Sequence, residues 1–183
     1  ISIRLVGSEM CIRDRDRSVG KILKTLKDLK IAENTFVIFT SDNGPWGWAN
    51  INGGSSGLLK GNKGSVYEGG YRVPAIAWMP GRIPEVTTTA LASTLDFFPT
   101  LVSLAGGEYE KKFLDGVDIR KTFFENSNVR TDVHYYRQDT LIALRYNEWK
   151  MYIKDPNPWD DGPPQKDMPL LYNVEPVSYT HLT

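Results

Sequence analysis

The run Thr35-Phe-Val-Ile-Phe-Thr-Ser-Asp-Asn-Gly-Pro45 constrains this chain more than any other stretch, because an apolar segment ends abruptly in an adjacent acid, amide and Gly-Pro turn. Residues 35–40, β-branched and aromatic, have the continuous apolar character of a strand buried on both faces. Such strands sit in sheets flanked by helices, and ligands gather at their carboxyl ends. Asp42 and Asn43 are therefore candidate metal ligands: a carboxylate and an amide oxygen delivered together into a sharp turn. Further along, the glycine-rich segment 61–74 carries Lys63, Glu68 and Arg72 and leads into a second apolar strand, 73–79. Together the two segments predict an anionic substrate held between a cation and a lysine.

The surrounding pattern extends this to an α/β fold. Residues 16–30 read as an amphipathic helix, with Val19, Ile22, Leu23, Leu26 and Leu29 on one face. A second helix is expected over 96–105, with Asp96 as N-cap, Pro99 tolerated in its first turn and Gly106-Gly107 as its stop. One further helical turn is expected at 120–125. From residue 132 the texture changes to short aromatic runs at 133–137, 141–146, 149–153 and 170–174, which predict a small antiparallel sheet with a hairpin at Asn147-Glu148. The segment 156–169 is rich in proline and aspartate, hence a loop. The segment 44–72 between the two apolar strands is long for a compact domain, and loops of that length are usually functional or disordered.

Charge and cysteine content remove several function classes. Lysine plus arginine equals aspartate plus glutamate, 22 against 22, so no broad attraction to nucleic acid or anionic membrane is implied. No apolar run reaches the roughly 20 residues needed to span a bilayer, so no membrane span is expected. A single cysteine, Cys11, leaves no internal disulfide. Residues 1–15 lack the basic start and apolar stretch of a secretory signal. They resemble instead the translated read-through found at the ends of environmental gene fragments, as do residues 176–183. The expected organisation is therefore non-native sequence at 1–15 and 176–183, an α/β part at 16–126 and an antiparallel subdomain at 127–175.

The ordered motifs also resemble a known family. Val37-Ile-Phe-Thr-Ser-Asp-Asn-Gly-Pro45, Leu59-Lys-Gly-Asn-Lys-Gly-Ser-Val-Tyr-Glu-Gly-Gly-Tyr-Arg-Val-Pro74, Pro80-Gly-Arg-Ile-Pro84, Leu95-Asp-Phe-Phe-Pro-Thr-Leu101 and Asp115-Gly-Val-Asp118 are similar to the carboxyl-terminal half of formylglycine-dependent sulfatases. Asp16-Arg-Ser-Val-Gly-Lys-Ile-Leu23, Trp149-Lys150 and Leu171-Tyr-Asn-Val174 extend the likeness over 16–175. The resemblance implies part of an alkaline-phosphatase-like sheet, and hydrolysis of sulfate esters, carbohydrate sulfates foremost. It implies Ca²⁺ held by Asp42 and Asn43 with two upstream carboxylates; hard oxygen donors suit this ion. It assigns Lys63 to the sulfate group, as a catalytic and substrate-binding point charge, and it suggests export to the periplasm or beyond.

Other positions keep two readings. Arg72 either reaches the substrate anion or, the favoured reading, pairs with Glu68 to shape the glycine-rich loop. Trp46 and Trp48 either form a sugar-stacking wall or lie buried under the loop. His134 is expected to be a packed or surface histidine. The Cys/Ser-x-Pro/Ala-x-Arg signature from which formylglycine arises is missing from 16–175, as are the paired aspartates and the other catalytic lysine and histidine residues of the family. Turnover by this polypeptide alone is therefore not expected. The competing readings are a phosphatase, phosphodiesterase or phosphonate hydrolase of the same superfamily, and a non-catalytic sulfoglycan-binding module. A chain with part of a sheet uncovered is also expected to be poorly soluble.

Overall fold

The computed structural model describes residues 2–154 and 169–174. The proline- and aspartate-rich loop and the 176–183 tail expected from sequence lie outside the described residues, apart from Pro169. The chain divides into two compact units, one of residues 1–39 and 75–84, the other of residues 40–74 and 85–183.

In the first unit a single helix, α1 (Ser2–Asp28), precedes the strand β1 (Val37–Thr40), which pairs with β2 (Ala75–Trp78). The helix runs through the 15/16 position and stops two residues earlier than its pattern suggested. Lys30 takes a left-handed φ of 58°, its N–H bonds the Lys27 carbonyl, and the Ile31 N–H reaches back to Leu26 O. These bonds satisfy the last carbonyls in the manner of a Schellman cap, with a lysine where glycine is usual. Val19, Leu23 and Leu26 are half-buried, and the Lys27 ammonium lies 5.9 Å from the Trp78 ring centre.

The expectation that β1 is buried on both faces is not met: Phe39 is 44% and Ile76 is 63% exposed. The reason is physical. Among the described residues the sheet has two strands of four residues each, too few to cover either face. Ile22 and Leu29 are likewise exposed. No described helix is long and apolar enough to cross a membrane.

The second unit carries the larger core. Ser93 caps a short turn of 3-10 helix (Thr94–Asp96) that continues into α3 (Phe97–Leu104), closed by Gly106 at φ 75°. Asp96 holds the N-cap position of α3 that its sequence suggested, but its side chain makes no capping bond to that helix. Its carboxylate reaches back to the Ser93 N–H at 2.8 Å, completing a capping box. Asp96 also binds the Val117 N–H at 2.9 Å and receives the guanidinium of Arg130 in a bidentate pair, with contacts of 2.6–3.0 Å. Arg130 also donates to the Asp115 and Asp132 carbonyls, each at 2.8 Å. Both residues are buried and fully engaged, which is the condition under which an interior ion pair is tolerated.

After α4 (Arg120–Glu125) come four antiparallel strands in sequential order, β3 (Asp132–Arg137), β4 (Thr140–Tyr146), β5 (Trp149–Tyr152) and β6 (Leu170–Asn173). The expected hairpin at Asn147-Glu148 is present, with Asn147 at φ 49°, a conformation asparagine tolerates. A bulge between Tyr135 and Tyr136 shifts the β3–β4 register. The core lies where Tyr135, Ile142, Ala143 and Tyr152 of this sheet meet Val66 and Tyr67. That contact fastens the glycine-rich segment to the sheet.

Candidate metal and anion site

Asp42 follows the last residue of β1 by two positions. Its Oδ1 accepts the Asn43 N–H at 3.0 Å, and the Ser41 hydroxyl donates to the Asn43 carbonyl at 3.0 Å. These short-range bonds accompany a bend of the backbone over 42–44. Asn43 donates its amide nitrogen to the Gly44 carbonyl at 2.8 Å, which leaves Oδ1 as its outward-available atom. Asp42 is exposed, and no described residue donates to its Oδ2. Two hard oxygens on adjacent residues suit Ca²⁺, which takes roughly six to eight such ligands. No group of three or more histidine, cysteine, aspartate or glutamate residues able to hold a metal exists among the described residues. The turn therefore fits part of a calcium shell.

Backbone contacts bring the Lys63 segment against this turn. The Gly44 N–H donates to the Gly70 carbonyl at 2.8 Å, and the Lys63 N–H donates to the Pro45 carbonyl at 2.8 Å. Within the loop, the Gly69 N–H closes on the Lys60 carbonyl at 2.7 Å. The approach tolerates no side chain: a Cβ on Gly44 would sit 1.8 Å from Gly69 O, and one on Gly69 would sit 2.2 Å from Gly61 O. Glycine is used here for closeness of backbones rather than for flexibility. Lys63 itself is exposed.

Glu68 opens the one-turn helix α2 (Glu68–Tyr71) and is 2% exposed. Its partner is not Arg72, as favoured from sequence, but Lys150 of β5, whose Nζ donates to Glu68 Oε1 at 2.8 Å and to the Val66 carbonyl at 2.7 Å. Arg145 of β4 lies 3.6 Å from Glu68 Oε2. Arg72 is exposed; its N–H caps α2 on the Glu68 carbonyl at 2.7 Å, and its charge is the weakest of the three cations acting on Glu68. Burial pushes the Glu68 carboxyl up, but Lys150, Arg145 and Arg72 together outweigh it and hold the group below its usual value. For Lys150, which is wholly buried, desolvation wins over the attraction of Glu68, and its ammonium is pushed down to about 8. The Tyr135 ring lies 3.6 Å from Nζ and offers a cation–π face.

Lys150 and Arg145 carried no role in the sequence reading. The signal was nevertheless present in the strand pattern. Lys150 and Tyr152 fall on one face of β5, and Lys150 is directly opposite Arg145 on β4. Two cations facing each other across a ladder are unfavourable unless an anion lies between them, and Glu68 is that anion. The remaining candidates are on the surface. Trp46 is 58% and Trp48 is 72% exposed, which decides against burial under the loop. His134 is also exposed, 3.4 Å from Asp132, in keeping with the surface histidine expected.

The sulfatase family model matches residues 10–107, a segment containing both the Asp42 turn and the Lys63 loop. The chain belongs to the sulfatase family. N-acetylgalactosamine-6-sulfatase of Canis lupus familiaris is 42% identical over 154 residues, covering 82% of this chain and 30% of the relative. Arylsulfatase A of Homo sapiens is 46% identical over 108 residues, 59% of this chain and 21% of the relative. Among solved structures, a sulfatase from Pseudoalteromonas sp. matches with a TM-score of 0.75 and 27% identity, covering 85% of this chain and 34% of its own. Ps i-CgsB, solved in complex with k-i-k-neocarrahexaose, matches with a TM-score of 0.70 and 31% identity over 87% of this chain and 34% of its own. The chain thus spans about a fifth to a third of the length of these relatives. The α/β architecture with a small carboxyl-terminal antiparallel sheet, expected from the motifs, is that of these sulfatase structures.

Proposed function

We propose that this chain supplies part of the active site of a sulfuric ester hydrolase acting on sulfated carbohydrate. The observation that carries the reading is the backbone lock between two motifs: Gly44 on Gly70 and Lys63 on Pro45 hold an oxygen-rich turn beside a cationic loop. The names of the relatives support a sulfated sugar as substrate, since one denotes an N-acetylgalactosamine-6-sulfatase and another structure was solved with a neocarrahexaose. In this reading Asp42 and Asn43 contribute two oxygen ligands to Ca²⁺. When bound, the ion supplies positive charge against the sulfate oxygens.

The chain's own residues do the remaining work assigned to them. The Lys63 ammonium binds a sulfate oxygen and opposes the negative charge that builds as the ester bond breaks. Arg72, exposed at the end of α2, is the second cation able to meet the anion. Glu68 and Lys150 hold the loop so that Lys63 need not be ordered by the substrate. The nucleophile is not among these residues, because nothing in 16–175 carries the formylglycine signature; this polypeptide alone is expected to bind but not to turn over. Work in the periplasm or outside the cell belongs to the same reading.

The test is calorimetric titration of the chain with galactose 6-sulfate, with and without Ca²⁺. Lys63→Ala is expected to weaken binding about tenfold, and Asp42→Ala to remove the calcium dependence. Binding unchanged by both substitutions would overturn the assignment.

A further inference from the structure

We propose that Trp46 and Trp48 form a saccharide-stacking subsite that takes a pyranose ring adjoining the sulfated unit; the position of that unit rests on the function proposed above. They are the two most exposed tryptophans among the described residues, at 58% and 72%. The two indole rings offer apolar faces to water, and a six-membered sugar offers apolar C–H faces of matching shape.

The segment that bears them is held in place rather than loose. The Trp46 N–H bonds the Gly53 carbonyl at 2.9 Å, and the Ala49 N–H bonds the Trp46 carbonyl at 3.0 Å. Gly53 presses on the Trp46 carbonyl so closely that a Cβ there would be 1.9 Å from it. Between these points the chain makes a turn of 3-10 helix (Gly47–Asn52). Its start is fixed to the anion loop twice: Gly47 abuts the Asn62 amide, and the residue before Trp46 accepts the Lys63 N–H at 2.8 Å. The platform therefore begins one residue after the carbonyl that holds Lys63. Asn62 and Asn52 are exposed beside it, and amides can both donate to and accept from sugar hydroxyls. Rings flanked by amides, without a charge on the segment itself, suit a neutral part of a saccharide rather than a second sulfate.

The test titrates the full 183-residue chain with a 6-sulfated chondroitin tetrasaccharide, its desulfated counterpart and inorganic sulfate. Trp46→Ala/Trp48→Ala is expected to weaken both tetrasaccharides about tenfold and to leave inorganic sulfate unchanged, while Trp46→Phe/Trp48→Phe restores most of the affinity. Lys63→Ala is expected to weaken sulfate and the sulfated tetrasaccharide but not the desulfated one. Tetrasaccharide affinities unmoved by the double alanine variant would overturn the subsite while leaving the sulfate reading intact. A failure of Lys63→Ala to affect sulfate, with the tryptophan effect present, would overturn the sulfate reading and keep the saccharide platform.

Discussion

Asp42 and Glu68 are two acids on adjoining backbone segments, and they are used in opposite ways. Asp42 is exposed, with one carboxylate oxygen that no described residue engages. Glu68 is 2% exposed, with one oxygen on Lys150 and the other facing Arg145. The difference separates an acid proposed as a ligand from one committed to support. Chemistry requires unsatisfied atoms that water can reach, whereas support requires saturated atoms that it cannot.

The contrast breaks most visibly at Lys150. Lys150→Met would leave Glu68 buried with only the more distant Arg145 and the weaker charge of Arg72, and removing one partner of such a buried pair costs about 3–5 kcal/mol in a urea unfolding titration. Replacing both members, with Glu68→Gln added, is expected to recover part of that loss. Arg130→Met should destabilise to a similar degree, because it abandons Asp96 in the same way. The two single variants part company in ligand binding. Below the unfolding transition, Lys150→Met should weaken galactose 6-sulfate and Arg130→Met should not, since only Lys150 touches the segment bearing Lys63.

Next in size is Gly44→Ala, expected to cost about 1–3 kcal/mol as backbones at van der Waals limits move apart. It should also lower calcium affinity without touching a ligand. The pH dependence is smaller. The depressed Glu68 carboxyl contributes stability that is present above its unfolded value of 4.5 and is lost as pH falls through the folded value. Glu68→Gln should flatten that acid limb in thermal melts. Lys150, lowered to about 8 from 10.5, makes the unfolded chain the better proton binder between those values, so its contribution to stability rises with pH across that window. Lys150→Met should abolish the rise. Smallest of all, Asp42→Ala should shift stability by less than about 0.5 kcal/mol while removing the calcium effect.

Much of this was legible in residue order because the informative features are local. The apolar run into Asp42-Asn43-Gly44 marked a strand and a turn, and four aromatic runs marked four strands. The end of the sheet's burial was not legible. Phe39 and Ile76 read as core, yet their exposure depends on which strands are beside them. Asp96 was placed correctly at the start of α3, but its ion pair was not legible because Arg130 is 34 positions away. Lys150 went unassigned for the same reason: 82 positions separate it from Glu68. Pairings at that distance follow from the fold, and local pattern does not reveal them.

The closure of Trp46 on Gly53 has a consequence for how such a chain diversifies. Because the Trp46 N–H meets the Gly53 carbonyl, the six residues between them leave and re-enter the backbone at nearly one point. Past Gly47, where a side chain would press on Asn62, their length and composition can change without transmitting movement to Asn43 on one side or Lys63 on the other. Under the function and subsite proposed above, the segment is a natural cassette: exchanging it would re-aim one scaffold at a different sugar.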